Sequence, residues 1–156
     1  MASARQGRTS IHIDAAPEQV WALLADLERM GEWSPECYRV RWLDGANSPA
    51  RVGARFKGDN RWGPVRWSMT CEVKAAEPGR ELSWATLQGD RELVHWKYRL
   101  TPEGAGTEVT ESFDVQSLPP MARLFEDILM INRDRHREAA MRCTLERIKA
   151  AVESVA

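Results

Sequence analysis

The chain has 156 residues, with 43% hydrophobic and 29% charged side chains, which is enough apolar material for one domain with a substantial core. Its 22 basic and 23 acidic residues nearly cancel, and this balance argues against nucleic acid as a partner. No apolar run approaches the roughly 20 residues that a membrane span needs, and residues 1–8 lead into no apolar signal sequence. We therefore expect a single domain over residues 1–156, with an ordered core over about 9–151, no transmembrane segment and a cytoplasmic location.

The cysteines and histidines show no spacing typical of a metal or redox site. The chain contains three of each, far apart in sequence: Cys37, Cys71, Cys143, His12, His95 and His136. An odd number of scattered cysteines favours reduced thiols, in agreement with a cytoplasmic protein. We expect neither a metal ion nor a cofactor.

The first third of the chain predicts two strands with short helices between them. Residues 9–14 alternate polar and apolar side chains as a strand does, and a helix follows with Pro17 near its start, where a missing N–H is tolerated. Glycine and proline indicate a second short helix or turn over residues 27–35. Residues 37–43 alternate as the second strand.

The middle of the chain predicts a run of antiparallel strands. We expect them over residues 53–59, 65–76 and 81–87, separated by turns that contain glycine. The strand over residues 65–76 places five residues on one face, with charged and hydroxyl residues alternating between them: Val65, Trp67, Met69, Cys71 and Val73. This alternation predicts a sheet with one buried face and one solvated face.

Residues 94–115 form the most informative segment, a β-hairpin with a Gly-rich turn. Every second residue of its strands points to the buried face, and these residues are Val94, Trp96, Tyr98, Leu100, Val109, Glu111, Phe113 and Val115. Glu111 is the anomaly, because it is an acid at an apolar position. An acid on the inside of a large sheet predicts a cavity with recognition or chemistry in it.

The C-terminal third is helical and has two apolar clusters at spacings of three and four. They consist of Met121, Leu124, Phe125, Ile128, Leu129 and Ile131, and of Leu145, Ile148 and Val152. Arg133, Arg135, Arg137 and Arg142 lie between the clusters, and we interpret them as a solvated helix face because acidic residues alternate with them. We expect the first cluster to cover a cavity mouth, to act as a lid, or to form a dimer contact.

The order of these elements predicts an α+β fold in two layers. A curved antiparallel sheet of about seven strands would wrap around the long C-terminal helix, with one or two short helices after the first strand. A sheet of such curvature need not close tightly on the helix. The gap between them would form a pocket.

Several motifs in this order resemble the START-like, or SRPBCC, superfamily with the helix-grip fold, and within it the polyketide cyclase/dehydrase-like proteins. The matching segments are residues 13–21, 33–36, 53–56, 77–84, 96–100 and 106–111. The resemblance covers roughly residues 9–151 and implies a hydrophobic cavity between sheet and long helix that takes an apolar or polycyclic small molecule. It brings no catalytic set that could be carried over residue by residue.

The candidate ligand-binding residues lie on the predicted concave face and on the helix after Pro120. They are Phe56, Trp67, Met69, Trp84, Trp96, Tyr98, Glu111, Phe113, Phe125 and Ile128. The rings would either line a cavity suited to flat ligands or pack as ordinary core. Glu111 would be a cavity acid whose pKa burial raises, or else a structural carboxylate paired with an arginine or displaced by a bulge.

Two functions fit these residues. The first is a carrier or sensor that binds a hydrophobic small molecule such as a lipid, polyketide or isoprenoid-like compound. The second is a polyketide aromatase/cyclase or dehydratase, in which Glu111 transfers a proton and Tyr98 donates a hydrogen bond to a carbonyl oxygen. A third option is an interaction protein that uses the helix after Pro120, for example as a homodimer. The sequence leaves open whether the protein is an enzyme.

Overall fold

The computed structural model describes residues 5–129 and 133–154, with the side chains of all of these except 127–129. In chain order the elements are β1 (Gln6–Ile13), α1 (Pro17–Ala25), a 3₁₀ helix (Leu27–Glu32), β2 (Cys37–Trp42), β3 (Arg55–Trp62), β4 (Val65–Glu77), β5 (Glu81–Gln88), β6 (Arg91–Glu103), β7 (Gly106–Val115), α2 (Pro120–Leu129) and α3 (Arg133–Glu153). The strands form one antiparallel sheet in the order β1-β7-β6-β5-β4-β3-β2. The predicted helix-grip arrangement is confirmed.

Strands β1 and β3 both extend beyond the residues that the sequence pattern predicted, and cross-strand pairing explains the difference. β1 begins at Gln6 rather than at residue 9, because it pairs with β7 from Gln6 opposite Asp114 onwards. β3 continues to Trp62 rather than ending at residue 59, because it pairs with β4 as far as Trp62 opposite Val65. Ladder hydrogen bonds stabilise residues whose own propensity for strand is weak.

The predicted hairpin of β6 and β7 sets the register around Glu111. Gly104 has a φ of +61° at the turn, a left-handed conformation that glycine adopts without strain. The register places Tyr98 opposite Glu111 and Trp96 opposite Phe113. Residues directly opposite each other share a face, so the Tyr98 and Glu111 side chains lie side by side on the concave surface.

Register shifts in the sheet occur in three places among the described pairings. They lie between Cys37 and Arg39, between Val73 and Ala75, and between Thr86 and Leu87. A bulge of this kind bends its strand and increases the local twist. Spread over β2, β4 and β5, the three bulges help the sheet to curl around α3.

Helix α3 has two different environments along its length. Its C-terminal half contributes Leu145 and Ile148 to the main core, together with α1 and the sheet. Its N-terminal half borders a cavity instead. In the described residues no helix is long and apolar enough to span a membrane. That one domain covers residues 1–156 stays a prediction.

Candidate functional site

A cavity of about 320 Å³ lies between the concave face of the sheet and the N-terminal half of α3, with α2 and the segment before β2 completing its wall. Its apolar and sulfur-containing lining consists of Met30, Cys37, Phe56, Trp67, Met69, Cys71, Trp84, Leu93, Val94, Trp96, Leu118, Phe125 and Met141. The volume is near the lower end of the usual range for small-molecule pockets, about 300–1,000 Å³. The cavity therefore suits a small apolar molecule.

Aromatic rings form a continuous wall across β3, β5 and β6. Phe56 and Trp84 pack edge to face with ring centroids 5.8 Å apart, and Trp84 and Tyr98 are tilted at the same separation. Rings that contact one another in this way fix their neighbours' orientation. The three rings therefore form one packed aromatic surface on the sheet side of the cavity.

Gly58 on β3 contributes to the size of the cavity. The cavity borders Gly58, and a Cβ atom placed there would have only the Cys37 Sγ atom within 4 Å, at 3.4 Å.

Burial raises the pKa of the Cys37 thiol to about 12, and it also raises the pKa of Cys71. Both thiols are therefore uncharged at neutral pH and add to the apolar lining.

Glu111 is the carboxyl group of the sheet wall, and only 6% of its surface is exposed. Burial raises its pKa to about 8, while the Tyr98 hydroxyl beside it partly offsets the rise. Its Oε2 atom is buried without a hydrogen-bond partner among the residues that the structure describes. At neutral pH the neutral acid predominates, and this form can donate a proton or a hydrogen bond.

Tyr98 is the nearest polar neighbour of Glu111 on the adjacent strand. Burial, together with the charge of the Glu111 carboxylate, raises the pKa of the Tyr98 hydroxyl well above its usual value. The hydroxyl therefore stays protonated at neutral pH and serves as a hydrogen-bond donor. Glu111 and Tyr98 share a hydrogen bond, so together they present one free proton, on a wall whose other polar side chains are Asn60 and Thr86.

The helix wall of the cavity is charged, which corrects the interpretation of a solvated face. Arg133 and Arg137 are buried, with 7% and 4% of their surfaces exposed, and both line the cavity. Of the four arginines predicted to be solvated, only Arg135 and Arg142 are exposed. The physical reason is pairing: buried carboxylates compensate the two guanidinium groups, so their burial is tolerated.

These ion pairs connect four parts of the chain. Arg133 donates to the Glu36 carboxylate, with Nη1 3.0 Å from Oε2. Arg137 donates to Glu126 of α2 at 2.7 Å and to Asp134 at 2.7 Å. Arg5, just before β1, donates to Asp134 at 2.8 Å and to Glu126 at 3.2 Å. Glu126 is thus the contact through which α2 is held to the rest of the cluster.

Aromatic rings flank the two buried guanidinium groups. Arg133 lies 5.4 Å from the ring centroid of Trp62 and 5.5 Å from that of Trp67. Arg137 lies 5.5 Å from the ring centroid of Phe113. Such cation–π contacts contribute about 0.5–2 kcal/mol each, more where the site is dry. They fix the arginines in place at the edge of the cavity.

The structure brings most of the predicted site residues together around this cavity: Phe56, Trp67, Met69, Trp84, Trp96, Tyr98, Glu111 and Phe125. Phe113 differs from the expectation, because its ring packs against Trp96 at 5.7 Å and lies in the core rather than on the cavity wall. The side chain of Ile128 falls outside the described residues.

Arg133, Arg137 and Glu36 are site residues that sequence reasoning missed. A signal for the arginines was present in the helical period. The buried positions Ile148, Leu145 and Met141 are three and four residues apart. Two further steps of four lead back to Arg137 and Arg133, so all five share one helix face. Glu36 has no comparable signal, because it comes from an irregular segment. Among the described residues, no group of three or more potential metal ligands is close enough to hold an ion.

Solved structures of similar proteins share this architecture. The Polyketide_cyc-like protein Cgl2372 from Corynebacterium glutamicum is 32% identical, with 99% of this chain and 93% of that chain covered and a TM-score of 0.59. A START superfamily protein from Mycobacterium smegmatis is 15% identical, with coverages of 97% and 99% and a TM-score of 0.71. The di-domain ARO/CYC StfQ from the steffimycin biosynthetic pathway is 15% identical, with coverages of 97% and 51% and a TM-score of 0.74.

At this level of identity the last two likenesses show the fold alone. No curated protein matches the chain. Residues 5–153, nearly the whole chain, match the sequence profile of the family described as polyketide cyclase / dehydrase and lipid transport. The chain therefore belongs to that family.

Proposed function

We propose that this protein binds a hydrophobic small molecule, such as a lipid, polyketide or isoprenoid-like compound, in the cavity between sheet and α3, as a carrier or sensor. The observation that carries the proposal is the cavity of about 320 Å³ with its wall of aromatic and aliphatic side chains. Burial of apolar surface supplies about 25 cal/mol per Å². A ligand that loses about 300 Å² of apolar surface gains roughly 7 kcal/mol before the cost of association.

A cavity-filling variant tests this proposal. Gly58→Leu would place a side chain in the cavity, where only the Cys37 Sγ atom lies close to the new Cβ. Thr70→Leu is the matched control, because it lies on β4 between two cavity residues and its side chain points to the opposite face. Native mass spectrometry after expression, followed by extraction of bound compounds, measures occupancy.

We expect co-purified or added apolar compounds to bind the wild type and Thr70→Leu, and Gly58→Leu to bind at least tenfold more weakly. Thermal melting of all three proteins checks that they are folded. Equal binding by Gly58→Leu and the wild type would contradict the cavity as the binding site. Failure of the wild type to bind any member of a broad lipid and aromatic library would contradict the function itself.

A second candidate function is proton-transfer catalysis on a polyketide-like substrate, as an aromatase/cyclase or dehydratase. The neutral Glu111 carboxyl group beside the Tyr98 hydroxyl favours it, because a buried acid with a pKa near 8 is suited to general acid–base work. Turnover of a poly-β-keto substrate by Glu111→Gln and Tyr98→Phe tests the roles. Unchanged turnover in Glu111→Gln would remove Glu111 from catalysis.

Self-association through α2 also stays a prediction, as does the cytoplasmic location. Met121, Leu124 and Phe125 expose 77%, 52% and 40% of their surfaces, although all three are apolar. Phe125 also borders the cavity. Analytical ultracentrifugation of the wild type and Phe125→Ser tests whether this surface joins two copies of the chain. A wild type that remains monomeric at high concentration would contradict the homodimer.

A further inference from the structure

Two unpartnered polar atoms belong to residues that line the cavity. In the described part of the chain, Glu111 Oε2 and Arg137 Nε are the buried side-chain nitrogen and oxygen atoms that have no hydrogen-bond partner. Both residues line the cavity, although Glu111 belongs to β7 and Arg137 to α3. Buried polar groups in proteins are nearly always paired with protein, water or ligand. Two unpaired groups around one cavity therefore indicate what a ligand has to supply.

Both groups are hydrogen-bond donors at neutral pH. The Arg137 guanidinium is always protonated, and its terminal nitrogens already donate to Glu126 and Asp134, which leaves the Nε–H group. Burial raises the pKa of Glu111 to about 8, so its carboxyl group carries a proton that it can donate. A ligand that satisfies both groups needs acceptor oxygens rather than donors.

The charges around the cavity indicate that the ligand is uncharged. Three cations of the cluster contact three carboxylates, and these six residues are Arg5, Arg133, Arg137, Glu36, Glu126 and Asp134. Each guanidinium therefore already has carboxylate partners. A carboxylate or phosphate on the ligand would meet no surplus positive charge, and its burial would be costly.

The cavity volume limits the ligand's size. A cavity of about 320 Å³ lies near the lower end of the range for small-molecule pockets, about 300–1,000 Å³. Phe56, Trp84 and Tyr98 contribute three aromatic rings to the lining. A compact frame of one or two rings fits both features better than a lipid with two acyl chains.

We propose that the cavity, in its proposed role as a binding site for an apolar molecule, takes a compact, uncharged, ring-containing compound with two acceptor oxygens. One oxygen accepts from the Glu111 carboxyl group and the other from the Arg137 guanidinium. The apolar frame lies against the aromatic wall. This proposal rests on the proposed function and specifies the class of ligand.

A series of bicyclic compounds with one frame tests the proposal. Tetralin has no acceptor oxygen, 1-tetralone has one, and 4-chromanone has a carbonyl and an ether oxygen on opposite sides of one ring. Tetralin-2-carboxylate adds a negative charge. Equilibrium dialysis at pH 7 measures the four affinities. We expect affinity to rise about three- to tenfold with each acceptor, and the carboxylate to bind more weakly than 4-chromanone.

Variants assign the acceptors to the two residues, with the ratio of 4-chromanone to tetralin affinity as the readout. Loss of structure would weaken the binding of both compounds and leave the ratio of their affinities unchanged. Loss of a hydrogen bond weakens only the binding of 4-chromanone and therefore lowers the ratio. Glu111→Leu and Arg137→Lys are each expected to lower the ratio about three- to tenfold. Glu111→Gln, which keeps an N–H donor, is expected to retain most of it. Thr70→Leu is the control outside the cavity and should leave the ratio unchanged.

The outcomes separate this proposal from the function on which it rests. If tetralin binds as tightly as 4-chromanone, the proposal of two acceptor oxygens is wrong, whereas the proposed binding of apolar molecules is supported. If tetralin-2-carboxylate binds most tightly, the site selects an anion and the proposal is overturned. If none of the four compounds binds the wild type, both the ligand class and the apolar binding site fail.

Discussion

The sheet wall of the cavity carries one carboxyl group, Glu111, whereas the helix wall carries the guanidinium groups of Arg133 and Arg137. All three side chains are more than nine-tenths buried. Glu111 avoids a buried charge by keeping its proton, because burial raises its pKa to about 8. The arginines cannot lose theirs, and they are compensated by Glu36, Glu126 and Asp134 instead.

The difference shows two ways in which one apolar interior holds ionisable groups. A neutral acid remains available to a ligand, because no counter-ion occupies it. A paired guanidinium donates most of its hydrogen bonds to carboxylates of the protein. It contributes mainly to holding α2, α3 and the segment before β2 together. The sheet wall is therefore suited to recognition or chemistry, and the helix wall mainly to structure, with Arg137 Nε as its unpartnered donor atom among the described residues.

The largest expected effect comes from breaking the paired side of this comparison. Glu126→Gln removes the carboxylate shared by Arg5, Arg133 and Arg137, and it leaves two buried cations with fewer partners. Loss of one partner from a buried ion pair costs about 3–5 kcal/mol. We expect the free energy of unfolding in urea to fall by about that amount, and α2 to become more susceptible to proteolysis.

The exposed Glu146→Gln on α3 is the matched control for Glu126→Gln, because it makes the same chemical change on the solvated face. It should alter the free energy of unfolding by no more than about 0.5 kcal/mol. Equal stability of Glu126→Gln and the wild type would contradict the structural role of the ion-pair cluster.

The unpaired side of the comparison predicts a pH dependence of stability. The folded protein keeps the Glu111 proton up to a pKa of about 8, whereas the unfolded chain releases it near the ordinary value of 4.5. The unfolded state therefore binds fewer protons between these values, and stability falls as the pH rises through that window. At pH 7 the accumulated loss is on the order of 3 kcal/mol.

Glu111→Gln removes this titration and sharpens the test. We expect the variant and the wild type to have similar stability near pH 4.5, and the variant to be more stable by about 3 kcal/mol at pH 7. Urea unfolding of both proteins at several pH values measures the difference, and other titrating groups cancel in it. A difference that does not change with pH would show that Glu111 is charged in the folded protein.

A smaller effect is expected from changing the shape of a paired cation while keeping its charge. Arg137→Lys retains one positive charge but cannot donate to Glu126 and Asp134 with the same planar geometry. We expect a loss of about 1–2 kcal/mol in the free energy of unfolding. Arg135→Lys, two residues away on the exposed face, should be nearly neutral. Equal effects of the two substitutions would contradict a specific role of the planar Arg137 guanidinium group.

The sequence predicted the sheet wall well and the helix wall poorly, for a physical reason. Strand alternation assigns a face to every residue, so Trp96, Tyr98 and Glu111 were placed correctly from the pattern alone. Phe113 has the correct face, but it packs in the core because Arg137 and Trp96 lie over it. Alternation gives the face of a residue and does not give the depth of a cavity.

The helix wall depends on partners that are distant in sequence. Arg133 looks solvated from its own neighbours, and its burial depends on Glu36, which is 97 residues away in the chain. Likewise, Arg137 is compensated by Glu126 of another helix. Local charge patterning therefore misassigned a face that long-range ion pairs determine.

The smallest expected effect is a change in the pKa of one histidine beside the buried arginines, with a second histidine as the control. His136 stacks on Trp62 with ring centroids 3.9 Å apart. Burial and the positive charges of Arg133 and Arg137 lower the pKa of His136 below 6.5, and the negative charge of Glu36 opposes this change. His12 is exposed, and hydrogen bonds to Glu103 and Asp14 raise its pKa. An NMR titration of the imidazole C–H signals measures both. Arg133→Gln should raise the pKa of His136 and leave that of His12 unchanged, because removing one nearby cation favours the charged imidazole. An unchanged pKa of His136 in Arg133→Gln would contradict a position of the Arg133 guanidinium close to the Trp62–His136 stack.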